Sequence, residues 1–115
     1  LITLFKLDMT NPDLLKAGGV TECQKIAMLA SAFDIPVMFH NVRPTLATAT
    51  MLHLVASIPN AAPYQEFPGF QEEWGLQKYF KNELIYQDGY LKVPTGPGFG
   101  LEPDEAAMRK DKLNR

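Results

Sequence analysis

The sequence predicts an α/β chain built on a parallel sheet, and three observations carry that reading. Asp8 to Asp13 reads as a short buried strand, and Ile35 to Phe39 is apolar throughout, as a strand covered on both faces should be. An amphipathic helix lies between them, and a second helix followed by another short strand comes after, giving the order βαβαβ. A strand, helix, strand crossover makes the two strands parallel neighbours. It therefore places Asp13 and His40, which close the first two strands, side by side at one end of the sheet.

The elements follow in order. Lys16-Ala17-Gly18-Gly19 forms the loop after the first strand, and Thr21 with Gln24 makes a capping-box pattern at the start of the first helix. Ile26, Leu29, Ala30 and Phe33 share one face at helical spacing, the face expected against the sheet. Pro44 suits the first turn of the second helix, where its missing N–H costs nothing. Thr45 to Ile58 then runs without Gly or Pro until Pro59-Asn60 stops it. The third strand falls between Ala61 and Phe67 and ends in Gln65-Glu66.

From Pro68 aromatic residues and turns replace the alternation, which divides the chain into 1–67 and a C-terminal segment, 68–115. Phe70 to Phe80 suggests a short helix weakened by Gly75. Leu84 to Gln87 and Tyr90 to Val93 flank Asp88-Gly89, a strong hairpin signal. Thr95 to Gly100 is a turn-rich loop, and Pro103 to Leu113 a polar helix with acids early and bases late, which suits the helix dipole.

The bulk properties narrow the class. With 115 residues the chain has room for one modest domain, and its net charge of -2 comes without a basic stripe for nucleic acid. The single cysteine, Cys23, excludes an internal disulfide and fits a reducing compartment. No apolar run reaches the roughly 20 residues of a membrane span, and the N-terminus lacks signal-peptide features, so a cytoplasmic location is expected. Leu1 to Leu7 carries no start signal, as if the chain were entered in mid-fold.

Asp13 beside His40 makes a plausible acid/base dyad, because a carboxylate fixes the imidazole tautomer and raises its basicity. Glu66 ends the third strand at the same edge and joins the candidates. Lys16 suits a solvated or substrate-flanking charge. Arg43 suits both a bidentate contact to a substrate carboxylate and a surface or capping role. His53, inside a helix, reads as a packed or hydrogen-bonded histidine, and Cys23, with no base near it, as inert. The glycines of 96–100 follow a hairpin rather than open a helix, so they are no phosphate cradle. Phe67, Phe70, Trp74, Tyr79 and Phe80 read as packing or subunit interface.

Several of these stretches together resemble the C-terminal third of an enolase-superfamily enzyme of the mandelate racemase subgroup. They are Pro12-Asp13 with Lys16 to Glu22, Ile35-Pro36-Val37 ending at His40, His53-Leu54 with Ser57 to Asn60 before Glu66, and Asp88 to Pro94 with Pro97 to Gly100. The resemblance implies the C-terminal part of a modified (β/α)₈ TIM barrel, strands six to eight, plus a tail returning to the capping domain. A complete barrel takes about 250 residues, so by the resemblance this chain is one part of a protein. Asp13, His40 and Glu66 then match the groups that end strands six, seven and eight, with His40 the general acid/base.

The family removes the proton α to a carboxylate with the help of Mg²⁺, whose carboxylate ligands are expected outside this chain. The resemblance points first to an acid-sugar dehydratase, a hydro-lyase that expels the β-hydroxyl to give a 2-keto-3-deoxy acid. His40 would take the α-proton or assist the departing hydroxyl, Asp13 would orient it, and Glu66 would meet the substrate carboxylate. A racemase or epimerase of a 2-hydroxy acid and a non-catalytic fragment remain as alternatives. The implied partners are a small carboxylate substrate, the rest of the barrel and cap, and further copies in a homo-oligomer, with no nucleic acid and no membrane.

Overall fold

The computed structural model describes residues 7–42, 46–69 and 76–113, apart from the side chains of 76, 77, 112 and 113. Arg43, Pro44 and most of the stretch expected as a helix from Phe70 lie outside the described residues, as do the first six. The helices are α1 (Val20–Ser31), α2 (Leu46–Ser57) and α3 (Glu105–Leu113), and a hairpin of β1 (Tyr86–Gln87) and β2 (Tyr90–Leu91) precedes α3.

The three expected strands pair in parallel, but sparsely, through bridges Thr10 to Val37, Asp13 to His40 and Val37 to Ala61. Thr10 N–H donates to Pro36 O (3.1 Å), Met38 N–H to Thr10 O (3.0 Å) and His40 N–H to Pro12 O (3.0 Å), so the first two segments run in step. On the other edge Val37 N–H donates to Asn60 O and Ala62 N–H to Val37 O, both at 2.8 Å. Val37 is thus paired on both sides, and it and Phe39 have no exposed surface. The apolar run read from the sequence is the middle of the sheet.

Helix α1 departs from expectation in two ways. It starts at Val20 with Gly19 as its N-cap and no side-chain cap, so Thr21 lies inside the first turn and the capping box is not formed. The buried stripe is Cys23, Ala27 and Ala30, whereas Leu29 and Phe33 are 55% and 46% exposed. Of the four residues expected to face the sheet, Ala30 alone is buried. Small side chains let the helix axis approach the strands closely, and hydrophobicity read along the sequence favours the larger neighbours on an adjacent face.

Helix α2 buries Thr48 to Leu52 and Leu54, and with α1 and Val37, Phe39 and Leu84 it encloses the core. The hairpin forms as expected: Tyr86 pairs with Leu91 and Gln87 with Tyr90. Asp88 and Gly89 take φ of 52° and 84°, the two left-handed positions that a type I′ turn requires. The segment after it is bound back to the chain by side chains. Asn82 Nδ2 donates to Gly100 O and Asn82 Oδ1 accepts the Glu102 N–H, each at 2.7 Å, and Tyr79 hydroxyl donates to Asp111. No described helix is long and apolar enough to cross a membrane.

Candidate active site

The parallel ladder brings three candidate residues to one edge. Asp13 and His40 are bridge partners, and Glu66 arrives from the third segment. Backbone pairing alone does not carry Glu66 there. The side chain of Gln65 takes over where the backbone bonds stop: its Oε1 accepts the Phe39 N–H (2.9 Å), and its Nε2 donates to Val37 O (3.1 Å) and Ala62 O (3.0 Å). One amide thus fills the pairing positions of the middle segment, and the next residue is Glu66.

Glu66 Oε2 lies 2.8 Å from His40 Nδ1 and accepts the Asn41 N–H at 3.0 Å. A carboxylate can only accept, so Nδ1 carries the proton, and in the neutral ring Nε2 holds the free lone pair. The side chains of His40 and Glu66 are 32% and 35% exposed, open enough to meet a small molecule. Asn41 and Thr48 complete the network: Asn41 Nδ2 donates to Glu66 O (3.3 Å), and Thr48 Oγ1 donates to Asn41 Oδ1 (3.2 Å).

Asp13 sits beside this pair but does not hold the ring. Its Oδ1 accepts the backbone N–H of Leu15 (2.8 Å) and Lys16 (3.2 Å), and its Oδ2 is 3.6 Å from Lys16 Nζ. The tautomer-fixing bond expected from Asp13 is made by Glu66, because the carboxyl of Asp13 is turned into its own following loop. Burial pushes the Asp13 carboxyl up, but the two N–H donors, the Lys16 ammonium and His40 outweigh it and hold its pKa below the ordinary value. Asp13 is therefore a fixed negative charge near His40. Lys16 extends into solvent with 80% of its side chain exposed.

His53 stands apart from this edge and joins α2 to the C-terminal loop through the Phe99 carbonyl, at 3.3 Å. Cys23 has no exposed surface, and burial, then the charges of Asp13 and Glu22, push its thiol pKa up, so it stays a protonated thiol. Gln65, Asn41 and Thr48 escaped the sequence reading, which looked for ionisable groups at strand ends. Among the described residues no group of three or more His, Cys, Asp or Glu could hold a metal ion. The described residues do not by themselves make a magnesium site.

A family model described as "Enolase C-terminal domain-like" matches residues 1–107. The chain is 37% identical over 102 residues to a D-xylonate dehydratase of Haloferax volcanii, covering 89% of this chain and 24% of that protein. It is 36% identical over 106 residues to a D-galactonate dehydratase of Ralstonia nicotianae, covering 89% of this chain and 28% of the relative. A solved structure of a candidate racemase from Roseobacter denitrificans superposes with a TM-score of 0.85 at 28% identity, over 95% of this chain and 31% of that one. The chain thus spans about a quarter of the length of the relatives it matches. With its parallel βα units and a histidine, a glutamate and an aspartate on one edge, the chain belongs to the enolase superfamily.

Proposed function

We propose that the chain forms the last three βα units of a (β/α)₈ barrel enzyme, an acid-sugar dehydratase, with His40 as its proton-transfer group. The observation that carries this is the Glu66 contact to His40 Nδ1, at 2.8 Å, which leaves Nε2 as the ring's acceptor. A proton α to a carboxylate is very weakly acidic, so its removal needs a positioned base and a separate stabiliser of the developing charge. Superfamily sites pair a Lys or His base with Mg²⁺ as that stabiliser. In this reading the metal is held by strands outside this chain.

In the dehydratase reading, Nε2 of His40 takes a proton, and Glu66 and Asp13 offset the positive charge that the ring gains. The protonated ring then delivers a proton to a departing β-hydroxyl, which leaves as water. The product enol becomes a 2-keto-3-deoxy acid. Lys16 and Arg43, close in sequence to Asp13 and His40, supply positive charge for a substrate carboxylate. The likeness to sugar-acid dehydratases supports a polyhydroxy substrate.

The likeness to the Roseobacter structure supports a second reading, in which the α-proton returns to the other face without loss of a hydroxyl. One panel separates them. The complete protein with Mg²⁺ is offered aldonic and aldaric acids, D-xylonate and D-galactonate among them, and 2-keto acid is measured. Keto acid from at least one member is expected. No keto acid, with α-proton exchange and racemisation of a 2-hydroxy acid in D₂O, replaces dehydration by racemisation.

A further inference from the structure

We propose that Asn41, fixed by Thr48, is a positioning residue that sets which oxygen of Glu66 meets His40. The proposal rests on the functional reading above for its kinetic consequence, but its geometry stands on its own. After Ala62 no described backbone bond ties the third segment to the middle one, so Glu66 could turn about its own chain without breaking the ladder. Asn41 removes that freedom from two sides. Its backbone N–H holds Oε2, the oxygen that also faces His40, and its side-chain Nδ2 holds the Glu66 carbonyl.

The amide orientation of Asn41 is dictated by chemistry. The Glu66 carbonyl can only accept, so the NH₂ group faces it, and Oδ1 is left to accept the hydroxyl proton of Thr48. Asn41 is 8% exposed and Thr48 has no exposed surface, and both lie behind the partly exposed His40 and Glu66. Each is too buried to meet a substrate. Their effect passes through Glu66, whose hold on Nδ1 keeps the His40 lone pair on Nε2. Gln65, the residue before Glu66, is fixed by its own amide, and Asn41 fixes the carboxylate.

The test uses the complete protein with three substitutions: Thr48→Val, which removes the hydroxyl at nearly constant volume, Thr48→Ser, which keeps it, and Asn41→Asp, which turns a donor into an acceptor facing the Glu66 carbonyl. Misplacing a catalytic group by an ångström costs up to about 100-fold in rate, so kcat should fall about 10- to 100-fold in Thr48→Val and Asn41→Asp while KM changes far less. The pH-rate profile should shift, because the His40 to Glu66 contact weakens, and Thr48→Ser should recover most of the rate. The NMR signal of the His40 Nδ1 proton should move upfield in the two disruptive variants and return in Thr48→Ser. A lower Tm with kcat, pH profile and Nδ1 signal all unchanged overturns the proposal. If the unaltered protein turns over no acid, dehydration is lost, and the Nδ1 signal still decides: movement upholds the positioning role and no movement rejects it. Should Asn41→Asp fail to fold, the two Thr48 variants decide the same question by the same measurements.

Discussion

His53 on α2 and Phe99 in the C-terminal loop are joined twice: the ring nitrogen Nε2 lies 3.3 Å from the Phe99 carbonyl, and the two rings tilt together with centroids 5.9 Å apart. A carbonyl only accepts, so His53 carries its proton on Nε2. The contact clips the loop to α2. His53→Ala should lower stability by about 1 kcal/mol, the usual net value of such a hydrogen bond, and speed amide exchange in residues 96–100 without touching His40. Exchange in that loop at the native rate would show that the clip is idle.

The lowered pKa of Asp13 makes a prediction for acid stability. A carboxyl with a folded pKa below its ordinary 3.8 stabilises the fold while it is ionised. That contribution is present in full above 3.8 and is lost as the pH falls through the lower folded value. In Asp13→Asn the amide oxygen still accepts the Leu15 and Lys16 N–H groups, but the charge is gone. The variant should be less stable at pH 7 and should show a flatter decline between pH 5 and 2 than the parent, as thermal melts across that range will reveal.

Gln65 commits both ends of its amide to backbone groups. Replacing it by Glu puts an acceptor oxygen in place of Nε2, against the carbonyls of Val37 and Ala62, while the other oxygen can still accept the Phe39 N–H. Leaving buried polar groups unpaired costs about 1–3 kcal/mol each, so Gln65→Glu should lower the urea midpoint by more than Gln65→Met, which fills the volume without repulsion. Equal midpoints for the two would mean that the amide bonds contribute little.

Gly100 has φ of 72°, and a side chain there would bring Cβ to 2.9 Å from the Pro94 carbonyl carbon. Gly100→Ala should therefore cost on the order of 1–3 kcal/mol and disturb the His53 clip, since Asn82 also binds the Gly100 carbonyl at 2.7 Å. The check is a chemical denaturation curve paired with exchange at Phe99.

What the sequence disclosed depended on how local the cause was. Asp88-Gly89 announced its hairpin because two adjacent left-handed residues are a requirement of that turn alone. Asp13 and His40 were placed together by the parallel pairing that a single crossover imposes. The buried stripe of α1 was misread because closeness to the sheet selects Cys23, Ala27 and Ala30 for smallness: they too recur at helical spacing, but the bulkier Ile26, Leu29 and Phe33 outweigh them in a reading by hydrophobicity. Glu66 was read at the same edge as His40, but the bond between them was not. It joins residues 26 apart in sequence and hangs on the amides of Gln65 and Asn41, which carry no charge and match no motif.

Backbone donors and acceptors are the same for nearly every residue, so the pairing of a sheet is ordinarily beyond the reach of a single nucleotide change. Where the Gln65 amide stands in for the third segment, that protection lapses. One codon decides whether Phe39 N–H finds a partner and whether Val37 O gains a second one beside the Ala62 N–H, and the following codon is the one that reaches His40. A mutating lineage could thus shift the placement of its acid at this edge while the rest of the sheet stayed as it was, and a protein engineer seeking to retune the site would begin at position 65 rather than at the histidine.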